Sequence, residues 1–135
     1  MPAGPMPLGL VYFAAIKMTG YTIAGYQLKR LYQVEAPNPF RFGAARTVLG
    51  IVAGVSFGFL TATLNIRQSE LVYYLTLAPI RFAEWSFIIW YFFDRTWSQP
   101  SRLARYSLFG SLWSFLLDVP AILAVFVLPG GIWIC

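Results

Sequence analysis

The sequence predicts an all-α fold: an integral membrane bundle of four transmembrane helices, forming one domain over residues 1–135. Three observations carry that prediction. Apolar residues make up 59 % of the chain and charged ones 11 %, against about 25 % charged in soluble domains. The apolar residues fall into four long runs, each near the roughly 20 residues that a helix needs to cross a bilayer core. Most basic residues gather at the ends of those runs, where they orient helices.

The first helix is expected over about 8–28. The Pro-rich stretch before it has no basic side chain and no small-residue cleavage site, so the run reads as a membrane helix and not as a secretory signal. Lys17 interrupts it near its middle, and Lys29 with Arg30 closes it.

The second helix is expected over about 39–64. Asn38 followed by Pro39 is a start signal, because Asn caps and Pro suits the first helical position. Arg41 and Arg46 in its first turns are expected at the lipid headgroups. Gly50, Gly54, Gly58 and Ala62 recur every four residues. Small residues at that spacing make a flat stripe that another helix can approach closely.

A short turn over 65–69 precedes the third helix, expected over about 71–93. Ser69 is its cap, with Glu70 favourable at the positive end. Its run, LVYYLTLAPIRFAEWSFIIWYFF, holds Arg81 and Glu84 near the centre. Three apart on a helix, the two are expected to pair. Pro79 just before them frees the Leu75 carbonyl, which marks a kink beside the charges. Trp90, Tyr91, Phe92, Phe93 and Trp97 form an aromatic belt at an interface.

Pro100 opens the fourth helix, expected over about 100–128 and stopped by Pro129-Gly130-Gly131. Ser107, Ser111, Ser114 and Asp118 recur at helical spacing and make one polar stripe from the start of the helix to its middle. Pro120 adds a second break beside Asp118.

Basic residues set the orientation. Lys29, Arg30, Arg41 and Arg46 lie around the first connection, and Arg95, Arg102 and Arg105 around the third; the second has only Arg67. The first and third connections are therefore expected in the cytoplasm, with both termini on the non-cytoplasmic side of a membrane of the bacterial inner membrane type.

Lys17, Arg81, Glu84 and Asp118 all fall near the midpoints of their runs, on three helices. Left unpaired there, four charges would cost about 10 to 14 kcal/mol on insertion scales. They are expected to meet inside the bundle, with Ser114 on the same stripe, as a candidate ligand or ion site. Asp118 is the candidate proton carrier. The competing expectation is a polar clamp that fixes helix register and does nothing else. Trp85 and Trp113 sit away from the interfacial belts, as packing residues or as walls of a pocket.

Other classes are excluded by what is missing. There is no histidine, which removes the commonest metal ligand and the usual general base. No metal site is expected and no cofactor is indicated, although an aromatic groove leaves a lipid, quinone or carotenoid open. The single cysteine, Cys135, is the last residue and cannot form an internal disulfide. There is no phosphate-binding Gly-Lys loop and no Ser-His or Cys-His pair, so the chain does not read as an enzyme. The net charge of +5 lies at helix ends and not on a nucleic-acid face. The expected function is binding or translocation of a small solute or proton at a polar mid-membrane site. The alternative is a non-catalytic structural or assembly subunit of a larger membrane complex. The expected partners are the lipid bilayer and either further copies of the chain or other membrane subunits; no nucleic acid is expected.

Overall fold

A computed structural model describes residues 7–64 and 70–123, and they form four α-helices with no strand among them. These are α1 (Pro7–Tyr32), α2 (Pro39–Thr63), α3 (Glu70–Phe93) and α4 (Pro100–Leu123). The expected turn over 65–69, the Ser69 cap, the expected end of the fourth helix at 128 and Cys135 lie outside the described residues.

Helix ends follow the local chemistry. The Asn38 side chain accepts the Phe40 N–H at 2.9 Å, with Pro39 in the first turn. This is the capping arrangement that satisfies an otherwise orphaned donor. α1 runs four residues past its expected end, so Lys29 and Arg30 fall in its last turn. There they face the negative end of the helix dipole. Gln33, at φ 55°, closes α1: the Gln33 N–H donates to Arg30 and the Val34 N–H to Lys29. A left-handed residue with these two bonds is the usual way to end a helix, here made by Gln where Gly is commoner. Between α3 and α4, the Asp94 carboxylate accepts from the Ser98 N–H (2.9 Å), the Ser98 hydroxyl (2.7 Å) and the Gln99 N–H (3.2 Å). That single side chain shapes the turn. α3 continues through Pro79, and α4 through Pro120.

Neighbouring helices run antiparallel. Rising residue numbers on α1 meet falling numbers on α4: Lys17 meets Asp118, Tyr21 meets Ser114, and Tyr32 meets Tyr106. Gly25 against Phe42 and Gly43 against Thr22 set the same sense for α1 and α2. Arg46 with Glu84 and Phe42 with Phe93 set it for α2 and α3. Arg81 with Asp118 and Trp85 with Ser114 set it for α3 and α4. The result is an up-and-down four-helix bundle.

Glycines bring the helices together, but not those of the α2 stripe. A Cβ at Gly110 would collide with the Trp85 indole, one at Gly20 would meet Leu117 at 2.5 Å, and one at Gly25 would meet Phe42 at 2.8 Å. Gly58, by contrast, faces open space, Gly54 is half-buried, and Ala62 is exposed. Gly50 approaches only the guanidinium of Arg46 in its own helix. Among the described residues, nothing lies within 4 Å of a Cβ built at Gly58.

The interior mixes an apolar core, with Tyr21, Leu28, Phe42, Trp85, Ile88, Ile89 and Leu103, and buried polar groups. Lys17, Arg46, Arg81, Asp94, Ser107, Ser111, Ser114 and Asp118 are buried. Meanwhile Val52, Val55, Phe59, Leu108, Phe109, Leu112 and Leu116 are each more than half exposed. Lys, Arg and Asp are almost never fully buried without partners, so the interior has to supply them. By length and composition, one of the described helices, α2, is long and apolar enough to cross a membrane. The other three carry Lys17, the Arg81–Glu84 pair of charges, and Asp118 inside their runs, which lowers their mean hydropathy.

Candidate functional site

The charged side chains meet in one layer where all four helices approach. Asp118 of α4 stands at its centre. One carboxylate oxygen, Oδ1, pairs with Lys17 Nζ from α1; the other, Oδ2, accepts from Arg81 Nη2 of α3 at 2.6 Å. Lys17 Nζ also donates to the Ser114 carbonyl at 3.1 Å. One carboxylate thereby ties three helices.

A third ion pair brings in α2. Arg46 Nη2 of α2 lies 2.7 Å from Glu84 Oε2 of α3, and the two side chains are 1 % and 10 % exposed. This corrects the expected Arg81–Glu84 pairing. Residues three apart on a helix are separated by about 60° around its axis. Here that angle turns Arg81 toward α4 and Glu84 toward α2. The expected headgroup position of Arg46 is corrected as well. Its guanidinium lies in the interior, with Cζ 5.0 Å from the centre of the Tyr21 ring and 5.1 Å from that of Trp85. The ring faces carry partial negative charge and attract the cation. One sequence signal for this placement was available: Gly43 and Gly50 flank Arg46 on its own helix face, and glycines often mark a buried face.

Ser114 links the charges to the aromatic residues. Its hydroxyl accepts the Trp85 Nε1–H at 2.8 Å and shares a bond of 3.1 Å with the Tyr21 hydroxyl. Ser111 and Ser107, one and two turns away on the same stripe, return their hydroxyls to their own helix, at Ser107 O and Leu103 O. The polar stripe of α4 does face inward along its length, but only Ser114 and Asp118 reach other helices. Lys17, Arg81, Glu84, Ser114 and Asp118 are thus brought together, and Arg46 and Tyr21 join them.

Hydrogen bonding in the layer is incomplete. Arg46 Nε and Nη1 and Arg81 Nε and Nη1 are buried with no acceptor among the described residues. The Arg81 guanidinium stacks over Phe115, 4.4 Å from the ring centre. Among the described residues, the layer holds three cations, Lys17, Arg46 and Arg81, against the two carboxylates of Glu84 and Asp118.

Trp85 separates this layer from an apolar groove of about 660 Å³ lined by α1 and α4, with Ile23, Leu28, Tyr106, Phe109 and Trp113 in its walls. Trp113 is anchored by its Nε1–H, which donates to the Gly20 carbonyl at 3.0 Å. At the far end of the bundle, Tyr32 has its pKa pushed up to about 12, first by burial, then by the Asp94 carboxylate and by Tyr106, against the opposing pull of Arg102. Asp94 nearby is held below the usual carboxylate value. Burial alone would raise it, but the hydrogen bonds from Ser98 and Gln99 outweigh that effect.

No protein-family model, curated protein or solved structure matches this chain. The functional argument therefore rests on the layer itself. Among the described residues, no three His, Cys, Asp or Glu side chains gather as a metal-binding group. The arrangement can hold charge in low dielectric, donate hydrogen bonds from two guanidinium groups, and couple a change at one ion pair to all four helices.

Proposed function

We propose that the chain is an integral membrane protein of four transmembrane helices whose polar mid-membrane layer binds or passes a small solute or proton. The observation that carries this reading is the incomplete hydrogen bonding of the layer. A pure structural clamp is expected to satisfy its buried donors, since an unmet one costs about 1–3 kcal/mol. Arg46 and Arg81 each keep two N–H-bearing nitrogens without an acceptor among the described residues. The membrane setting is supported by the broad exposed surface of Val, Leu and Phe over an interior that holds ion pairs beside its apolar core, which suits a surrounding apolar solvent. The charges that interrupt α1, α3 and α4 are paired inside the bundle, which removes most of their cost of insertion. In this reading the first and third connections face the cytoplasm, as the distribution of basic residues favours.

The test is reconstitution of the purified protein into liposomes, with proton flux and solute-driven swelling as readouts. Asp118→Asn keeps the shape of the side chain but removes the charge that pairs with Lys17 and Arg81, so it should be less stable and, where circular dichroism shows it folded, should lose flux. A wild type that passes and binds nothing, or an Asp118→Asn variant with undiminished flux, would refute the reading.

One observation favours a second reading, that of a structural or assembly subunit. The outer face of α2 is exposed at Val48, Val52, Val55 and Phe59, and Gly58 beside it faces open space. Purification under mild detergent separates the two: stoichiometric co-purifying subunits support the second, a protein that migrates alone supports the first.

A further inference from the structure

We propose that the groove between α1 and α4 seats one acyl chain of an anionic phospholipid, with the lipid phosphate held at Arg102 and Arg105; this rests on the reading of the chain as a membrane protein. The groove holds about 660 Å³, inside the roughly 300–1,000 Å³ of ordinary ligand sites. Its wall on α4 runs from Tyr106 to Leu116. At about 1.5 Å per residue that is about 15 Å, half of the roughly 30 Å hydrocarbon core of a bilayer. The groove is therefore as long as the hydrocarbon layer of one leaflet is deep.

The wall suits hydrocarbon. Ile23, Leu31, Phe109, Leu112 and Leu116 line it, and all five side chains are exposed. Among the described residues, no charged side chain lines it. Its indole N–H groups are already bonded, Trp85 to the Ser114 hydroxyl at 2.8 Å and Trp113 to the Gly20 carbonyl at 3.0 Å. The Tyr106 hydroxyl accepts the Arg102 Nε–H at 3.3 Å. A polar guest would lose hydration there for few hydrogen bonds in return. A helix is about 10–12 Å across with its side chains, so a length of about 15 Å fills about 1,200–1,700 Å³. That is about twice what the groove holds, whereas an extended hydrocarbon chain is slim enough to lie in it.

Charge at one end of the groove selects the headgroup. Arg105 lies one turn before Phe109 and two before Leu112, so it shares their face of α4; Arg102 stands in the same way to Tyr106 and Phe109. Arg105 is exposed. Arg102 is fixed at the end of the groove: its Nη1 donates to Gln99 Oε1 at 2.9 Å, and its guanidinium packs on the Tyr32 and Tyr106 rings. Among the described residues, neither arginine forms an ion pair with a carboxylate. The Asp94 carboxylate accepts from Ser98 and Gln99 instead. Guanidinium groups suit phosphate oxygens, which accept charge-assisted hydrogen bonds from them. Basic pockets between membrane helices on the cytoplasmic side bind anionic lipid headgroups, and the proposed orientation puts this end of the groove on that side.

The experiment uses the purified full chain in an uncharged detergent. Dioleoyl phosphatidylglycerol and dioleoyl phosphatidylcholine, which share their acyl chains and differ in headgroup, are titrated at fixed ionic strength with thermal unfolding as the readout. Phosphatidylglycerol should raise the midpoint saturably and with the tighter apparent affinity, while glycerol phosphate, a headgroup without a chain, should leave it unchanged. Arg105→Gln, at an exposed position, should weaken that affinity about fivefold, the effect of one basic side chain at a lipid surface. Leu112→Trp, which fills the groove from an exposed position, should remove the saturable shift. Phosphatidylglycerol with a diazirine on its acyl chain should label 23–31 and 106–116 of the wild type, a result that does not depend on either variant folding. The proposal is overturned by equal affinity for the two lipids, by glycerol phosphate acting as strongly as the lipid, or by unchanged affinity in folded Arg105→Gln or Leu112→Trp. Labelling confined to other segments, tighter binding of a neutral isoprenoid quinone, or a homodimer cross-linked through 106–116 also overturns it. Failure here is distinct from failure of the functional reading. Equal affinity for the two lipids beside an Asp118-dependent proton flux removes the lipid seat alone; phosphatidylglycerol binding in a protein that moves nothing removes transport alone. A chain that stays folded in buffer without detergent removes the membrane reading and the seat with it.

Discussion

The Arg46–Glu84 ion pair offers the sharpest test of the fold, because it joins residues that the chain places 38 positions apart. Replacing Glu84 with Leu strands the Arg46 guanidinium, which is 1 % exposed, without its carboxylate. Removing one partner of a buried ion pair costs about 3–5 kcal/mol. Because Glu84 keeps 10 % of its side-chain surface exposed, the lower end, about 3 kcal/mol, is expected. Arg46→Leu together with Glu84→Leu should recover part of this loss, since both charges leave together. Recovery stays incomplete because Arg46 also sits against Tyr21 and Trp85, contacts of up to about 2 kcal/mol when desolvated. Unfolding by SDS titration in mixed micelles, followed by tryptophan fluorescence and circular dichroism, gives the four stabilities of the double-mutant cycle. A coupling of about 1–3 kcal/mol is expected for Arg46 with Glu84. The cycle for Arg81 with Glu84, which form no ion pair with each other, should give the smaller coupling. Strong coupling in the second cycle and none in the first would refute the partner assignment and the register of α2 against α3.

Three further outcomes are expected. Gly110→Ala should cost about 1–3 kcal/mol, because the new methyl displaces the Trp85 indole and its bond to Ser114, whereas Gly58→Ala should be near neutral in the isolated protein; the same SDS titration compares them. Asp94 contributes stability that is complete above the ordinary carboxylate pKa and is lost as pH falls through its lowered folded value. Stability of the wild type should therefore decline below about pH 4 in an acid titration, and Asp94→Asn should flatten that part of the curve; identical curves would refute the bonding to Ser98 and Gln99. Thiol labelling and reporter fusions in cells should place Cys135 and residues 65–69 outside, with Pro37 and Gln99 inside; equal labelling from both sides would refute the orientation.

The sequence by itself determined the helices and one face of the site. Asn38-Pro39 and Pro100 mark starts by local capping chemistry, which needs no tertiary partner. The spacing of Ser107, Ser111, Ser114 and Asp118 placed them on one side of α4, because helical geometry alone fixes which residues share a face. Opposite charges at Lys17 and Asp118 had to be compensated in an apolar chain, and they meet. The partners of Arg81 and Glu84 could not be read this way. Pairing across helices depends on how far each slides along its neighbour and how it is rotated, and neither quantity is written in one segment. Close approaches at Gly25–Phe42 and Gly43–Thr22 set the level of α2, and that level carries Arg46 to Tyr21 and Glu84. In the linear chain, a basic residue two turns into a helix looks the same whether it anchors at a headgroup or enters a core. The glycine stripe shows the same limit: a spacing of four states that a helix can be approached closely, and only the packed bundle decides whether anything in the chain does so. Local chemistry acts within a few residues and is legible there; ion-pair choice is a long-range outcome of packing, and the tertiary structure alone decided it.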